Sequence, residues 1–204
     1  SRSSDRPIRI AASVTGRGPA VQPIQALASF KVSGQRTDLL RALRAAQSQG
    51  RSIKPVDWSV HAPFFSSAAQ KHSIMQILKE TRGREAGTAI FKLKKMLEED
   101  PDHPVLHHLL GMGYYCTNQL DEAARHQVEA IRLDLGATNV TIEALRNLSY
   151  LFMRQDEHAK AAYCFAHVLL IDKANPAWIE EGEPFFARAG VADAAKSLLT
   201  AARE

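Results

Sequence analysis

Cysteine is almost missing from this chain: Cys116 and Cys164 are the only two in 204 residues, they stand far apart, and neither belongs to a CxxC pair. That excludes a disulfide framework and a zinc ribbon and makes a reducing compartment the simpler setting. Each is expected as a small, half-buried residue on a helix. No apolar run approaches the roughly 20 residues needed to cross a bilayer, so no transmembrane segment is expected and any membrane association would be peripheral. No stretch alternates as a half-buried strand does, which argues against a sheet. Acids are scarce from Ser1 to Glu80: four (Asp5, Asp38, Asp57, Glu80) stand against 12 Lys and Arg, a balance of +8. The rest of the chain carries 14 basic and 18 acidic side chains, a balance of −4. Two regions with different roles follow from that asymmetry. The 45% hydrophobic share suffices for a medium-sized core and rules out a wholly disordered chain.

The opening stretch SRSSDRPIRIAASVTGRGPAVQP is rich in Ser, Arg, Ala, Gly and Pro and has neither a helical nor a strand period, so it is not expected to fold alone. Such an acid-poor, Arg- and Ser-rich composition resembles an organellar targeting segment, a transit peptide or what cleavage leaves of one. A mitochondrion is the first expectation, a plastid the second, and bacterial or eukaryotic cytoplasm the alternative. Within residues 1–69 one segment, TDLLRALRAAQSQG, has a helical pattern near 38–49. There Thr37 can cap, Leu39, Leu40, Leu43 and Ala46 share a face, and Gly50 can close the end. A helix of about a dozen residues is marginal alone in water and needs a surface to pack on, either the C-terminal region or another protein. Arg41 and Arg44 would then point outward. The following SIKPVDWSVHAPFFSSAAQ reads as an extended segment tacked down by Trp58, Phe64 and Phe65. These five residues are the expected contacts of the arm.

Residues 70–204 repeat themselves. Leu110, Gly111, Tyr114, Ala123 and Ala130 occupy one register, and Leu148, Ser149, Phe152, Ala161 and Val168 occupy it again further along. One unit upstream, Ala89, Leu93 and Met96 fall at second-helix positions; one unit downstream of the third, Phe186, Gly190, Ala195 and Leu199 fall in line. Small residues recur where helices would cross and aromatics where the space beside the crossing must be filled. Gly111 with Ala123, and Ser149 with Ala161, are the expected points of close approach. Tyr114, Phe152 and Phe165 are the expected fillers.

The stretches LGMGYYCTNQLDEAARHQVEAIRLD, LSYLFMRQDEHAKAAYCFAHVLLIDKANP, AIFKLKKMLEEDPDHP and AGVADAAKSLL carry a resemblance to the tetratricopeptide repeat family. The resemblance covers about two thirds of the chain. It implies an all-α fold, an α-solenoid of about three to four helix pairs, with an extended, largely irregular N-terminal arm. Departures from the family pattern are Gln127 where an aromatic is usual, Leu135 and Lys173 in place of a closing proline, and four extra residues within GATN. Helices are expected near 70–80, 85–99, 104–117, 121–134, 139–154, 157–172, 177–188 and 191–203, with Pro184 kinking or shortening the seventh.

Chemistry is thinly supported. DHPVLHHLLG sets His103 and His107 four apart, but Pro104 suits a first helical position, which puts His103 at the cap and breaks up a metal pair. GRGP lacks the Lys and the following helix of a phosphate-cradling loop, and no nucleophile or zinc motif is present. Adjacent acids such as Glu98 with Glu99 point to different helix faces. The chain is therefore expected to be non-catalytic, with no cofactor and no metal.

The resemblance implies a binding scaffold whose first helices line a groove, with His107, His108, Met112, Arg146, Asn147 and Tyr150 at its polar positions. Of the carboxylate-clamping set of chaperone-tail receptors only Asn147 finds a match, which disfavours that subclass. The expected role is a structural subunit of a large, organellar or bacterial multiprotein complex, its basic arm threading onto neighbouring subunits. Two alternatives stand beside it: a free adaptor or assembly factor that binds a peptide segment, and a helical-repeat, RNA-associated ribosomal protein whose arm meets nucleic acid phosphates.

Overall fold

The computed structural model describes residues 27, 29–48, 76, 85–134, 139–172 and 175–200. Among them the regular elements are all helical: α1 (Arg36–Ser48), α2 (Ala86–Glu99), α3 (Pro104–Cys116), α4 (Leu120–Asp134), α5 (Asn139–Arg154), α6 (His158–Ile171), α7 (Pro176–Arg188) and α8 (Ala192–Thr200). The helix expected near 70–80 lies outside the described residues except for Gln76, which is helical and exposed. In this all-α chain, no described helix is long and apolar enough to cross a membrane.

Three turns repeat one backbone solution. The connections α3–α4, α5–α6 and α7–α8 each hold a residue of positive φ: Asn118 at 61°, Asp156 at 57° and Gly190 at 68°. In each, the next amide reaches back five positions to the carbonyl of an aromatic: Gln119 to Tyr114 at 2.8 Å, Glu157 to Phe152 at 2.9 Å, Val191 to Phe186 at 3.0 Å. This is the Schellman closure, which occupies carbonyls that the end of a helix leaves open. It also folds the following helix back against the one it ends, so each aromatic both fills the crossing and accepts the closing bond. Two helix starts are capped by side chains, whereas Glu85 and Glu157 ahead of α2 and α6 make no such bond. His103 Nδ1 accepts from the Leu106 amide at 3.4 Å ahead of Pro104, and Asn175 Oδ1 accepts from the Ala177 amide at 3.0 Å ahead of Pro176.

The packing order follows the chain. α2 packs on α3, α3 on α4, α4 on α5, α5 on α6, α6 on α7 and α7 on α8, and α3 also touches α5. α1 closes on α6 and α8 at the far end of this row. Thus the short basic helix packs on the C-terminal region: Leu27, Phe30, Leu39, Ala42, Leu43 and Ala46 belong to the same hydrophobic cluster as α3 to α8. Arg36 donates to the Gly190 carbonyl at 3.3 Å, and the Gln47 amide donates to the Ala194 carbonyl. α1 begins at Arg36, so Thr37 lies inside it, and the Ser33 hydroxyl bonded to Asp38 (2.5 Å) braces the entry instead. Arg41 and Arg44 face solvent, Arg41 pairing with Asp38 at 3.0 Å.

Close approach is visible where the side chains are smallest. Ala123, Ala161 and Ala195 are fully shielded, as is Ser149, whose hydroxyl bonds back to the Leu145 carbonyl. A Cβ at Gly111 would stand 2.7 Å from Gln127 Nε2 and 2.9 Å from its Cδ. The Gln127 amide lies directly on Gly111. It is fixed there by His108, whose carbonyl accepts from Nε2 at 3.2 Å and whose Nδ1 bonds Oε1 at 2.8 Å. Gly182 repeats the device on α7, where a Cβ would come within 2.8 Å of the Phe165 ring and 2.9 Å of Phe186. Pro184 does not shorten α7, which runs on to Arg188; the carbonyl it leaves open belongs to exposed Glu180, where water can reach it. Cys164 is fully buried and Cys116 exposed, so neither is the half-buried residue expected.

Gly111→Ala should destabilise the protein by about 1–3 kcal/mol, because the Gln127 amide loses both bonds when displaced. The loss should shrink in a Gln127→Ala background, read from a double-mutant cycle in denaturant. Leu43→Ala on α1 should cost about 2–5 kcal/mol, as for other buried leucines; an effect near zero in the same experiment would mean that α1 does not hold its place on α6 and α8.

Candidate interaction face

The six expected groove residues sit on two neighbouring helices, His107, His108 and Met112 on α3 and Arg146, Asn147 and Tyr150 on α5. They do not form one uniform surface. His107 turns toward α4: its Nδ1 lies 2.9 Å from His126 Nδ1 and its Nε2 lies 2.9 Å from the Pro101 carbonyl. A carbonyl only accepts, so Nε2 of His107 carries a proton, while one of the two facing Nδ1 atoms donates to the other. The two rings lie 5.2 Å apart, with Tyr114 stacked 5.5 Å from His126. His126 is pushed down to about 4 by burial, then by His107, Arg125 and Lys94, against the pull of Glu122. Lys94, Glu98, Tyr114, Glu122 and Arg125 line the same open cleft, of about 690 Å³, beside α2. His108 is held on Gln127, as described, and Met112 is half-buried against the core.

On α5 the polar positions are locked to α7. Arg146 reaches both oxygens of Glu143 at 2.8 and 3.0 Å and Glu181 at 2.9 Å, with its guanidinium 4.7 Å from the Trp178 ring. Burial opposes its charge, yet the two carboxylates outweigh that effect and raise its affinity for the proton. The Tyr150 hydroxyl donates to the same Glu181 oxygen at 3.0 Å while its ring sits edge-on to Phe185. Burial and Glu181 both push the Tyr150 phenol up. Asn147 is half-buried. A second bridge joins α5 to the end of α3: Arg154 donates to Asn118 at 2.8 Å and lies 4.7 Å over Tyr115. Thus α3, α5 and α7 are joined side by side by arginine on aromatic rings, with Tyr150 left 44% exposed on the resulting face.

Two aspartates in the same register of successive units close the ends of α4 and α6. Asp134 accepts from the amide and hydroxyl of Thr141 at 3.0 and 2.6 Å, and Asp172 accepts from Trp178 Nε1 at 2.8 Å. Burial raises Asp134 to about 6 in spite of the Thr141 bonds. Near α1, Phe30 stacks on Tyr163 and meets His167 edge-on, and burial lowers His167 to about 4. Of the expected arm contacts, Arg41 and Arg44 are placed as above, while Trp58, Phe64 and Phe65 lie outside the described residues.

Sequence reasoning passed over Glu143, Glu181, Trp178, His126 and Gly182. The usable signal was the repeat itself. Glu181 follows Arg146 by about one unit, so opposite charges at that spacing can meet across α5 and α7. Comparison with known proteins finds no family model that matches this chain and no curated protein that matches it.

Acid should weaken the fold. His126 and His167 are neutral when folded but take up protons near the ordinary 6.5 when unfolded, so the unfolded chain binds more protons between pH 6.5 and 4. Stability present above 6.5 is lost as pH falls through that window. Asp134 runs the other way, protonating near 6 folded and near 3.8 unfolded, one group against two. The melting temperature should hold above pH 7 and fall between 6.5 and 4, less steeply for His126→Gln; a flat profile would contradict the assignment of neutral imidazoles.

Proposed function

We propose that this chain is a non-catalytic protein–protein interaction scaffold. In this reading it is an α-solenoid of three to four tetratricopeptide-like helix pairs that serves as a structural subunit of a large multiprotein assembly. The observation that carries it is the recurrence of one left-handed turn, with one closing bond to an aromatic carbonyl, at Asn118, Asp156 and Gly190, each one repeat unit from the last. Each hairpin so made packs on the next, and a row built in that way presents a long face of first helices for binding rather than an enclosed pocket for chemistry.

The basic N-terminal arm is the part that meets neighbouring subunits. α1 anchors it on α6 and α8, and the outward Lys31, Arg41 and Arg44 extend the positive charge of the residues before it. An acidic protein surface is the complementary partner. The composition of the first two dozen residues supports an organellar setting, mitochondrial before plastid.

Gel filtration of native extracts, followed by crosslinking mass spectrometry, tests this. A permanent subunit co-migrates with a large complex, with crosslinks running from the arm and α1 to its neighbours. Elution as a free monomer would favour the adaptor, and nucleic-acid binding that falls steeply with salt would favour the RNA-associated protein.

A further inference from the structure

α1 is held unevenly along its two sides. Toward α8 it is pinned by polar bonds, Arg36 on the Gly190 carbonyl at 3.3 Å and Gln47 on the Ala194 carbonyl. Toward α6 the segment ahead of it bridges an open cavity of about 560 Å³, lined by Lys31, Ser33, Gln35, Asp38, Tyr163 and His167 among others. Phe30 seats that segment. Its ring, 4% exposed, stacks on Tyr163 at 5.9 Å and meets His167 edge-on at 5.2 Å. His167 in turn lies edge-on to Tyr163 at 4.7 Å, so two aromatic rings enclose one imidazole.

Nε2 of that imidazole is shut from water and has no hydrogen-bond partner. A neutral ring bears this at modest cost, whereas a protonated ring would bury a charged N–H with no acceptor. The neighbouring charges give no relief. Asp38, the carboxylate on the cavity wall, is engaged by Ser33 and Arg41, and Lys31 has the wrong sign. Lys160, on α6 itself beneath Gly34, pairs with Glu157. α5 and α7, packed on the other sides of α6, bring no charge to bear on His167, which burial alone lowers to about 4.

We propose that residues 29–48, the Phe30 segment and α1 together, act as an acid-released strap: a proton on the enclosed His167 ring requires water, and Phe30 lifting from α6 admits it. With the strap closed the imidazole stays neutral down to about 4, and with the strap open it takes its proton near the ordinary 6.5. The open form therefore binds more protons between pH 6.5 and 4, and closure weakens as pH falls through that window. One proton shifts the opening equilibrium by about tenfold per pH unit, or about 300-fold over the window. Opening uncovers Tyr163 and the apolar surface that Leu39, Leu43 and Ala46 cover, while the hairpins from α2 to α6 keep their own packing.

Native-state hydrogen exchange reads the strap. The Leu43 and Ala46 amides of α1 should exchange ahead of Ala130 and Ile131 in α4 at every pH, because a strap opens without the row. Corrected for the intrinsic effect of pH on exchange, α1 protection should fall about tenfold per unit between pH 6.5 and 4. His167→Phe should flatten that fall, and His126→Gln on α4 should leave it in place. Equal protection of α1 and α4, a flat α1 profile in the unsubstituted chain, or a fall that survives His167→Phe would each overturn the proposal. If His167→Phe does not fold, NMR titration of the His167 ring decides in its place. The ring should titrate near 4 in the unsubstituted chain and closer to 6.5 in Phe30→Ala; titration near 6.5 in the former, or no change in the latter, would contradict the strap.

Discussion

Two helices can lie at the shortest spacing only where one of them offers almost no side chain. Everything in this protein depends on meeting that condition again and again at a near-constant interval. Ala123, Ala161 and Ala195 are fully shielded at the crossings, and Gly111 and Gly182 admit an amide or a ring that a single added carbon would expel. A mid-helix glycine costs about 1 kcal/mol against alanine, so these positions must recover that in packing. The recovery is of two kinds. At Gly182 it is aromatic contact with Phe165 and Phe186, and at Gly111 it is a buried amide that makes two hydrogen bonds to His108.

Once the crossings are fixed, the row of hairpins brings residues about one unit apart into contact, and the polar chemistry follows. Arg146 meets Glu181, Arg154 meets Asn118, and Tyr150 shares the carboxylate of Glu181. These bonds lie on a half-exposed surface and add alignment more than stability. Their effect is to join α3, α5 and α7 side by side. At the other side α1 completes the core of the last two hairpins, so the basic helix is a structural part of the domain as well as the root of the arm.

The helices were legible because their signals are local. Pro104 after His103, Gly111 and Ala123 around Tyr114, and the short polar turns mark starts, crossings and ends within one or two positions of where they fall. The polar network was less legible. His107 and Arg146 share the helical face expected of groove residues, but whether each turns outward or toward a neighbour depends on His126 and Glu181, which are distant in sequence. Gln127 looked like a defect in an aromatic position, and its contact with Gly111 is not readable from the sequence. The seat of α1 was open for the same reason, since an amphipathic stripe such as Leu39, Leu43 and Ala46 states that a surface is needed without saying which.

The repeated turn is the most direct test of the account. Native-state hydrogen exchange of the Gln119, Glu157 and Val191 amides reads its three copies separately, since each donates to the carbonyl of an aromatic five positions back. All three should exchange far more slowly than unstructured peptide and lose protection together as denaturant rises, because stacked hairpins share one core. Exchange at the rate of free peptide in any of the three would contradict the stacking on which the fold, the face and the proposed role all rest.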